Sequence, residues 1–479
     1  MPETPATAYD AVPYTSHAYE RTQPTRLAAM ARLFGVEAPD PRTARVLEIG
    51  CGRGGNVVPM ASASPEARFV GLDLSRVQVD EAQALARRLG LTNLDLRHAD
   101  ILDVDDAWGS FDYVIAHGIW SWVPEAVRAA ILQLVRDRLT PHGVAYVSYN
   151  VLPGWRMRGM VADLMRYHTR RLTDPAARVH HARTVLEFLA KVRGPEVHTP
   201  YTDALHEESS TLAGLPDAYL LHDHLGEVNH AVYVHDFVQQ AQEHGLAFLS
   251  EASLSDMMPS GLGAEATAFL QRIPDQVERE QYLDFLVNRA FRATLLVHGE
   301  RTISRRLGPT SLGGLHLQCA GTFTTEGPLA DPTVAGTLEL AGRTSRTSAP
   351  IAKAAMHHLC ARWPASVPFE ELVDVARAEV GSTRPVADDR ADVGGVLLQG
   401  VLHRLFLLRA DPSPAVADTV PGRLFPPARL QIEDGADLVV SALHTHVRVD
   451  PDDARTLLDL DRISPAARAR VARMGLLVA

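Results

Sequence analysis

Lysine is nearly absent from this sequence: of its 47 basic residues, only Lys191 and Lys353 are lysines. The scarcity excludes whole mechanisms. A P-loop requires Gly-Lys-Ser/Thr, and neither lysine follows a glycine. A Tyr-x-x-x-Lys hydride-transfer motif fails too, since Glu187 and Ala349 stand four residues ahead of the two lysines. Cysteine is scarce as well. Cys51, Cys319 and Cys360 are too far apart for a zinc knuckle or a disulfide framework, which fits a reducing compartment. No apolar run approaches the roughly 18 residues of a membrane span, and the N-terminal stretch carries Glu3, Asp10 and Glu20 without a signal-like apolar core. No membrane is expected, and the expected location is cytoplasmic. A basic face is missing too: the formal charge is −11, which argues against a nucleic-acid partner.

What is present is an ordinary globular composition, 46% hydrophobic and 22% charged over 479 residues, enough for about three domains. From residue 42 to 150 short β-like runs (Arg45–Ile49, Arg68–Asp73, Leu94–Arg97, Phe111–Ala116, Val144–Tyr149) alternate with helical patterns, chiefly Ser75–Leu89 and Pro124–Leu139. Such alternation predicts a parallel α/β sheet of Rossmann-like type. Helices follow over Arg156–Arg170, Pro175–Lys191 and Asp236–His244, then strands at Leu246–Leu249 and Arg292–Val297 that would return to the same sheet. Beyond residue 300, strands at Leu315–Thr324 and Thr333–Ala341 and helices at Ile351–Arg362, Phe369–Val380 and Val396–Leu408 suggest a winged-helix-like α+β region, and the proline-rich Asp411–Pro427 reads as a strap. The expected division is therefore 1–40 an N-terminal lid, 41–155 the Rossmann-like core, 156–245 a helical insertion, 246–300 the return strands, 301–348 a middle β region and 349–479 the winged-helix-like region.

The first strand runs into Glu48-Ile49-Gly50-Cys51-Gly52-Arg53-Gly54-Gly55-Asn56, where glycines allow a tight turn and close backbone approach to a ligand. This loop fits a dinucleotide and S-adenosyl-L-methionine (SAM) equally. Charge separates them, since a dinucleotide brings a pyrophosphate and SAM brings a sulfonium, an ammonium and one carboxylate. Three acids at strand ends, Glu48, Asp73 and Asp100, suit SAM. Asp73 stands 19 residues past Gly54, where a carboxylate accepts hydrogen bonds from both ribose hydroxyls; Leu74 follows it. Asp100 and Ile101 are placed to take the adenine amine and ring face.

Specific stretches extend this reading: Gly52-Arg53-Gly54-Gly55-Asn56, Phe111-Asp112-Tyr113-Val114-Ile115-Ala116-His117-Gly118, Ser121-Trp122-Val123-Pro124, Ser148-Tyr149-Asn150-Val151-Leu152-Pro153-Gly154-Trp155 and Tyr219-Leu220-Leu221-His222-Asp223-His224-Leu225. With Val12-Pro13-Tyr14, Tyr282-Leu283-Asp284-Phe285 and Asn288-Arg289-Ala290-Phe291-Arg292, the chain resembles class I SAM methyltransferases that carry a methyltransferase regulatory domain, a group that includes the rickettsial-type protein lysine methyltransferases. The resemblance covers residues 9–300 and, more loosely, 350–410, and departs at His230-Ala231. It implies a methyl acceptor that is a protein or peptide side chain, lysine first, and it allows a homodimer. The alternatives are a tailoring enzyme for a small-molecule metabolite or peptide natural product, and a non-catalytic SAM-binding scaffold.

Methyl transfer from a sulfonium is an in-line displacement that needs an aligned, deprotonated nucleophile, and aromatic faces favour methylammonium groups. Trp108, Trp120, Trp122 and Trp155 cluster around the expected ends of the fourth and fifth strands. His117 and Gly118 are therefore expected at the methionine end of the cofactor, Trp120 and Trp122 at the substrate mouth, Tyr149 and Asn150 beside the nucleophile, and Tyr14 in a lid. His222, His224, His230 and His235 form no recognisable ligand set, so no metal is expected; His222 or Asp223 could instead touch substrate.

Overall fold

The computed structural model of the chain describes residues 12, 16–194, 196, 198–226, 228–258, 261–417, 421–450, 454, 456–461 and 463–479. Seven strands form one sheet: β1 (Arg45–Ile49), β2 (Arg68–Asp73), β3 (Leu94–His98), β4 (Phe111–Ala116), β5 (Leu139–Asn150), β6 (Leu246–Glu251) and β7 (Phe291–His298). Their order is β3-β2-β1-β4-β5-β7-β6, with β7 antiparallel to both neighbours. β1, β4 and β5 are buried on both faces, as a sheet covered by crossover helices demands. Ile49 pairs with Leu72 on one side and Ala116 on the other, so Gly50 leaves the sheet where the strand order reverses. A crevice opens at such a point.

Helices α1 (Pro24–Leu33), α2 (Val57–Ala63), α3 (Arg76–Arg88) and α4 (Glu125–Arg138) belong to this layer, and Ser75 caps α3 by accepting from the Gln78 N–H. After β5, α5 (Trp155–Thr169), α6 (Pro175–Arg193) and α7 (Pro200–Ala213) pack around a core of their own that includes Val161, Met165, Leu186, Leu205 and Leu220. The next helix, α8 (Val234–Glu243), was grouped with them on sequence grounds. Its apolar face, Val234, Phe237, Val238 and Ala241, instead joins the core of the sheet. Helix α9 (Gln276–Val287) escapes a hydrophobic-period reading because its buried face carries Glu280, Gln281 and Asp284 beside Leu283.

In the C-terminal region α10 (Pro350–Ala361), α11 (Phe369–Val380) and α12 (Val386–Leu402) flank a three-stranded sheet of Val367–Pro368, His316–Gln318 and Leu407–Arg409. The helix expected over Val396–Leu408 thus begins and ends earlier. Gly394 and Gly400 are contact points within α12: a Cβ would lie 2.5 Å from the Pro309 carbonyl at the first and 2.1 Å from the Phe406 ring at the second. The proline-rich strap joins a second core of Ala415, Leu424, Phe425, Val439, Val471 and Leu477, which also receives Ala18 from the N-terminal segment. Among the described residues no helix is long and apolar enough to cross a membrane.

Candidate active site

The loop after β1 is shaped by contacts that exclude side chains. Gly50 has φ +70°, and a Cβ there would lie 1.9 Å from Ile119 Cδ1. At Gly55 a Cβ would meet the Ser16 carbonyl at 2.5 Å, so the N-terminal segment lies directly on the loop. Asp73 braces the loop from the end of β2: Oδ2 accepts from the Gly52 N–H (2.8 Å) and Oδ1 from the Ser75 N–H (2.8 Å). Asp100 accepts from the Leu102 N–H (3.0 Å) and starts the turn that buries Ile101, while Leu74 is exposed. Asp73 pairs with His98 across β2 and β3, so both acids sit on one edge of the crevice.

Glu48 lies deeper. Its Oε1 accepts from Asn56 Nδ2 (2.6 Å), its Oε2 has no partner, and burial raises its pKa to about 8. Among the described residues no arginine pairs with it; Arg53, the loop's own cation, turns away to Glu81. Asn56 in turn is held by the Tyr19 N–H, which donates to its Oδ1 (2.9 Å).

The Tyr19 ring lies 3.8 Å from that of His117, and the Phe291 ring stands edge-on to His117 at 6.3 Å. Tyr14 lies outside the described residues; among the described residues of the N-terminal segment, Tyr19 is the aromatic whose ring meets His117. His117 Nδ1 is 2.9 Å from the Tyr146 hydroxyl, and burial pulls its pKa down to about 4, leaving a neutral ring. Gly118 donates its N–H to Ser148 Oγ (2.8 Å) and has open space where a side chain would stand.

Asp223 sits in a π-turn over Leu220–His224, a geometry often found at functional sites. Burial raises its pKa to about 7, partly offset by a hydrogen bond from Tyr219. The Tyr19 hydroxyl is pushed up to about 12 by burial, then by Glu48 and Asp223. One hydroxyl therefore senses both the acid of the glycine loop and the acid of the insertion. His222 Nε2, 2.7 Å from the Val12 carbonyl, ties this turn to the lid segment.

Trp120, expected at the substrate mouth, and Tyr149, expected beside the nucleophile, both lie in the core. Trp120 is fully buried among Tyr149, Phe237 and His230, and its Nε1 has no partner. Tyr149 stacks on Phe237 at 3.9 Å, and its hydroxyl, 2.9 Å from Thr294 Oγ1, is spent inside the core, where burial raises its pKa. Alternation along β5 turns Tyr149 into the core. Asn150, also buried, donates from Nδ2 to Asn229 Oδ1 (3.2 Å) and from its N–H to Ser121 Oγ (2.8 Å), clamping the exit of the insertion. Trp122 packs edge-on against Trp155 at 6.1 Å. The remaining histidines diverge: His224 Nε2 lies 3.0 Å from Glu208, His235 Nδ1 lies 2.9 Å from Gln281, and the His230 N–H donates to the Ser121 carbonyl.

Comparison with known proteins addresses the whole arrangement. A family model described as "Methyltransferase domain" matches residues 46–143, and one described as "Predicted methyltransferase regulatory domain" matches residues 216–298. The chain is 34% identical over 236 residues to "Uncharacterized protein RP028" of Rickettsia prowazekii, covering 49% of this chain and 94% of that one. It belongs to the class I SAM-dependent methyltransferases that carry a regulatory domain. It is also 43% identical over 299 residues to "Uncharacterized protein RP789" of the same organism, a match spanning 62% of this chain and only 54% of that relative. Among solved structures, PKMT2 from Rickettsia typhi in complex with AdoHcy superimposes with a TM-score of 0.85 at 26% identity, covering 98% of this chain and all of the other.

The residues of this methyltransferase fit its cofactor, SAM. Among the described residues the buried Glu48 carboxylate has one oxygen without a hydrogen-bond partner and no cation of its own, so a positive group such as the ammonium of SAM would fit there. Asp73, at the end of β2, and Asp100 with Ile101, just past β3, stand in strand order along the same edge, where the ribose and adenine of that cofactor would lie.

Proposed function

We propose that this chain transfers the methyl group of SAM to a side-chain nitrogen of a protein or peptide, with lysine the preferred acceptor. Asp223 carries the reading: a buried acid with pKa raised to about 7, acting on the same Tyr19 hydroxyl as Glu48. Oxygen and carbon acceptors make different demands, but an alkyl ammonium must lose a proton before it attacks. The likeness to PKMT2 over nearly the whole chain supports the lysine preference.

When bound, SAM supplies an electrophilic methyl on a sulfonium. Glu48 then holds the ammonium end, Asp73 the ribose, and Asp100 with Ile101 the adenine. Tyr19, neutral His117 and half-exposed Phe291 form the wall past which the acceptor enters, and their faces attract a cationic nitrogen. Asp223 accepts the ammonium proton. Against a lysine of pKa about 10.4 that transfer is uphill by roughly three units, and desolvation of the ammonium in the aromatic channel narrows the gap. Asn150 and Trp122 keep the insertion, and so Asp223, in register with the sheet.

Incubating the chain with methyl-labelled SAM, lysine peptides and cell lysate tests the proposal. The expected product is methyl-lysine in the protein fraction, and Asp223→Asn lowers kcat/KM by roughly 10²–10⁴-fold and removes the limb of the pH profile near 7. Label only in small molecules favours the tailoring reading. Tight cofactor binding with no label anywhere favours the scaffold.

A further inference from the structure

The hairpin of Leu438–Val440 and His446–Arg448, far along the chain, drives its tip between the N-terminal segment and the glycine loop. Gln23 Nε2 donates to the Leu443 carbonyl (2.9 Å), and the His17 ring meets His446 edge-on at 5.2 Å. At the tip, buried His444 reaches across to the cofactor loop, with Nε2 2.7 Å from Asn56 Oδ1. A side-chain carbonyl only accepts, so Nε2 carries the proton. Burial, with His446 nearby, pulls the His444 pKa down to about 3, which keeps the ring neutral. In the turn His444 adopts φ +64°, a left-handed conformation that few non-glycine residues take and that histidine tolerates better than most, and its N–H donates to the Ser441 carbonyl (2.9 Å).

Asn56 Oδ1 thus receives two committed donors, the Tyr19 N–H and His444 Nε2. The Thr22 hydroxyl, 3.1 Å away, also points at the Tyr19 carbonyl at 2.8 Å and has one proton to share between them. With two donors on the oxygen the amide cannot flip, because a flip would set its NH2 against them. Its Nδ2 must then face Glu48, and Glu48 must spend Oε1 there and leave Oε2 open.

We propose that His444 is a positioning residue for the cofactor: through Asn56 it fixes Glu48 so that one carboxylate oxygen meets the ammonium of SAM. This rests on the reading of Glu48 as the ammonium partner. The C-terminal region then contributes to the cofactor site through Asn56 and Glu48.

Two ligands separate positioning from general support. S-adenosylhomocysteine carries the ammonium, and 5′-methylthioadenosine lacks the amino-acid end. On the full chain, calorimetry of His444→Phe, which keeps the ring without the donor, is expected to show S-adenosylhomocysteine affinity falling roughly tenfold with methylthioadenosine unchanged. His444→Gln, which restores an N–H donor, is expected to bind both ligands within about threefold of the unsubstituted chain. Should the Phe variant not fold, His444→Asn, whose amide stops short of Asn56, takes its place with the same expectation. Equal loss of both ligands, no loss of either, or identical behaviour of the Phe and Gln variants overturns the proposal. Failure of the unsubstituted chain to bind S-adenosylhomocysteine overturns instead the cofactor reading beneath it.

Discussion

Glu48 at the end of β1 and Glu251 at the end of β6 are both buried, at 3% and 1% exposure, yet their chemistry is opposite. Glu251 accepts from Arg292 Nη1 (2.7 Å) and Thr294 Oγ1 (2.8 Å) on one oxygen and from the Ala293 N–H (3.0 Å) on the other. Burial would raise its pKa, but Arg292 and Arg289 outweigh burial and hold it below the usual value. Glu48 has one side-chain donor and no cation, and its pKa moves the other way. An acid with a structural task brings its counterion in the chain, whereas an acid with a ligand task leaves the place open. The β6–β7 corner goes further: Arg292 also pairs with Glu280 (3.0 Å) and Asp284 (2.7 Å), so three carboxylates converge on one guanidinium.

The contrast is broken most forcefully by removing that guanidinium. Arg292→Met takes the guanidinium from buried Glu251 and Glu280 and leaves Asp284 with Arg289 alone, and is expected to cost roughly 3–5 kcal/mol in chemical denaturation, while Glu48→Gln leaves stability within about 1 kcal/mol. Comparable losses would erase the distinction. On the ligand side, Glu48→Gln is expected to weaken S-adenosylhomocysteine binding roughly 10–100-fold by calorimetry. The carboxyl must ionise to meet an ammonium, so affinity of the unsubstituted chain rises with pH towards about 8 and levels off, a dependence the Gln variant loses. A flat profile in both removes Glu48 from the ammonium.

Glu280 sharpens the structural side. Burial raises its pKa from 4.5 to about 7, so the folded chain holds a proton that the unfolded chain releases. This contribution is complete below pH 4.5, declines as pH rises through about 7, and stays lost above. The drop in Tm across that interval should be steeper in the unsubstituted chain than in Glu280→Gln; equal slopes would assign it to other groups. The smallest effect is expected at Tyr149→Phe, about 1 kcal/mol of stability with cofactor affinity and turnover unchanged. Asp73→Ala, by contrast, should lose S-adenosylhomocysteine affinity. Loss of cofactor binding in the Tyr149 variant but not in the Asp73 variant would return Tyr149 to the site.

The glycine loop and its neighbouring acids were legible because they are local: glycines next to β1 and acids at or just past the ends of β2 and β3, Asp73 and Asp100, announce themselves by spacing. The acceptor half was not. Trp120 and Tyr149 are aromatic and follow the right strands, but whether such a ring faces a mouth or a core depends on Phe237 and Thr294, which arrive from α8 and β7. Tyr19 and Phe291 carry no local mark that sets them apart from other aromatics. Asp223 could be singled out only within the Leu-Leu-His-Asp-His stretch, and its raised pKa comes from burial that no neighbouring residue reveals.

The sequence by itself determined the Rossmann-like core, the glycine loop and the acids that suit a sulfonium nucleoside, because hydrophobic period and short-range spacing act within tens of residues. The placement of its two lysines had already excluded a P-loop and a Tyr-x-x-x-Lys hydride-transfer motif. Only the tertiary structure decided which buried acids keep a cation and which await one. It also decided that Tyr19, Asp223 and Phe291 share one crevice and that His444 reaches back to Asn56. Burial and charge pairing are sums over all elements that pack at a point, and no single segment contains them.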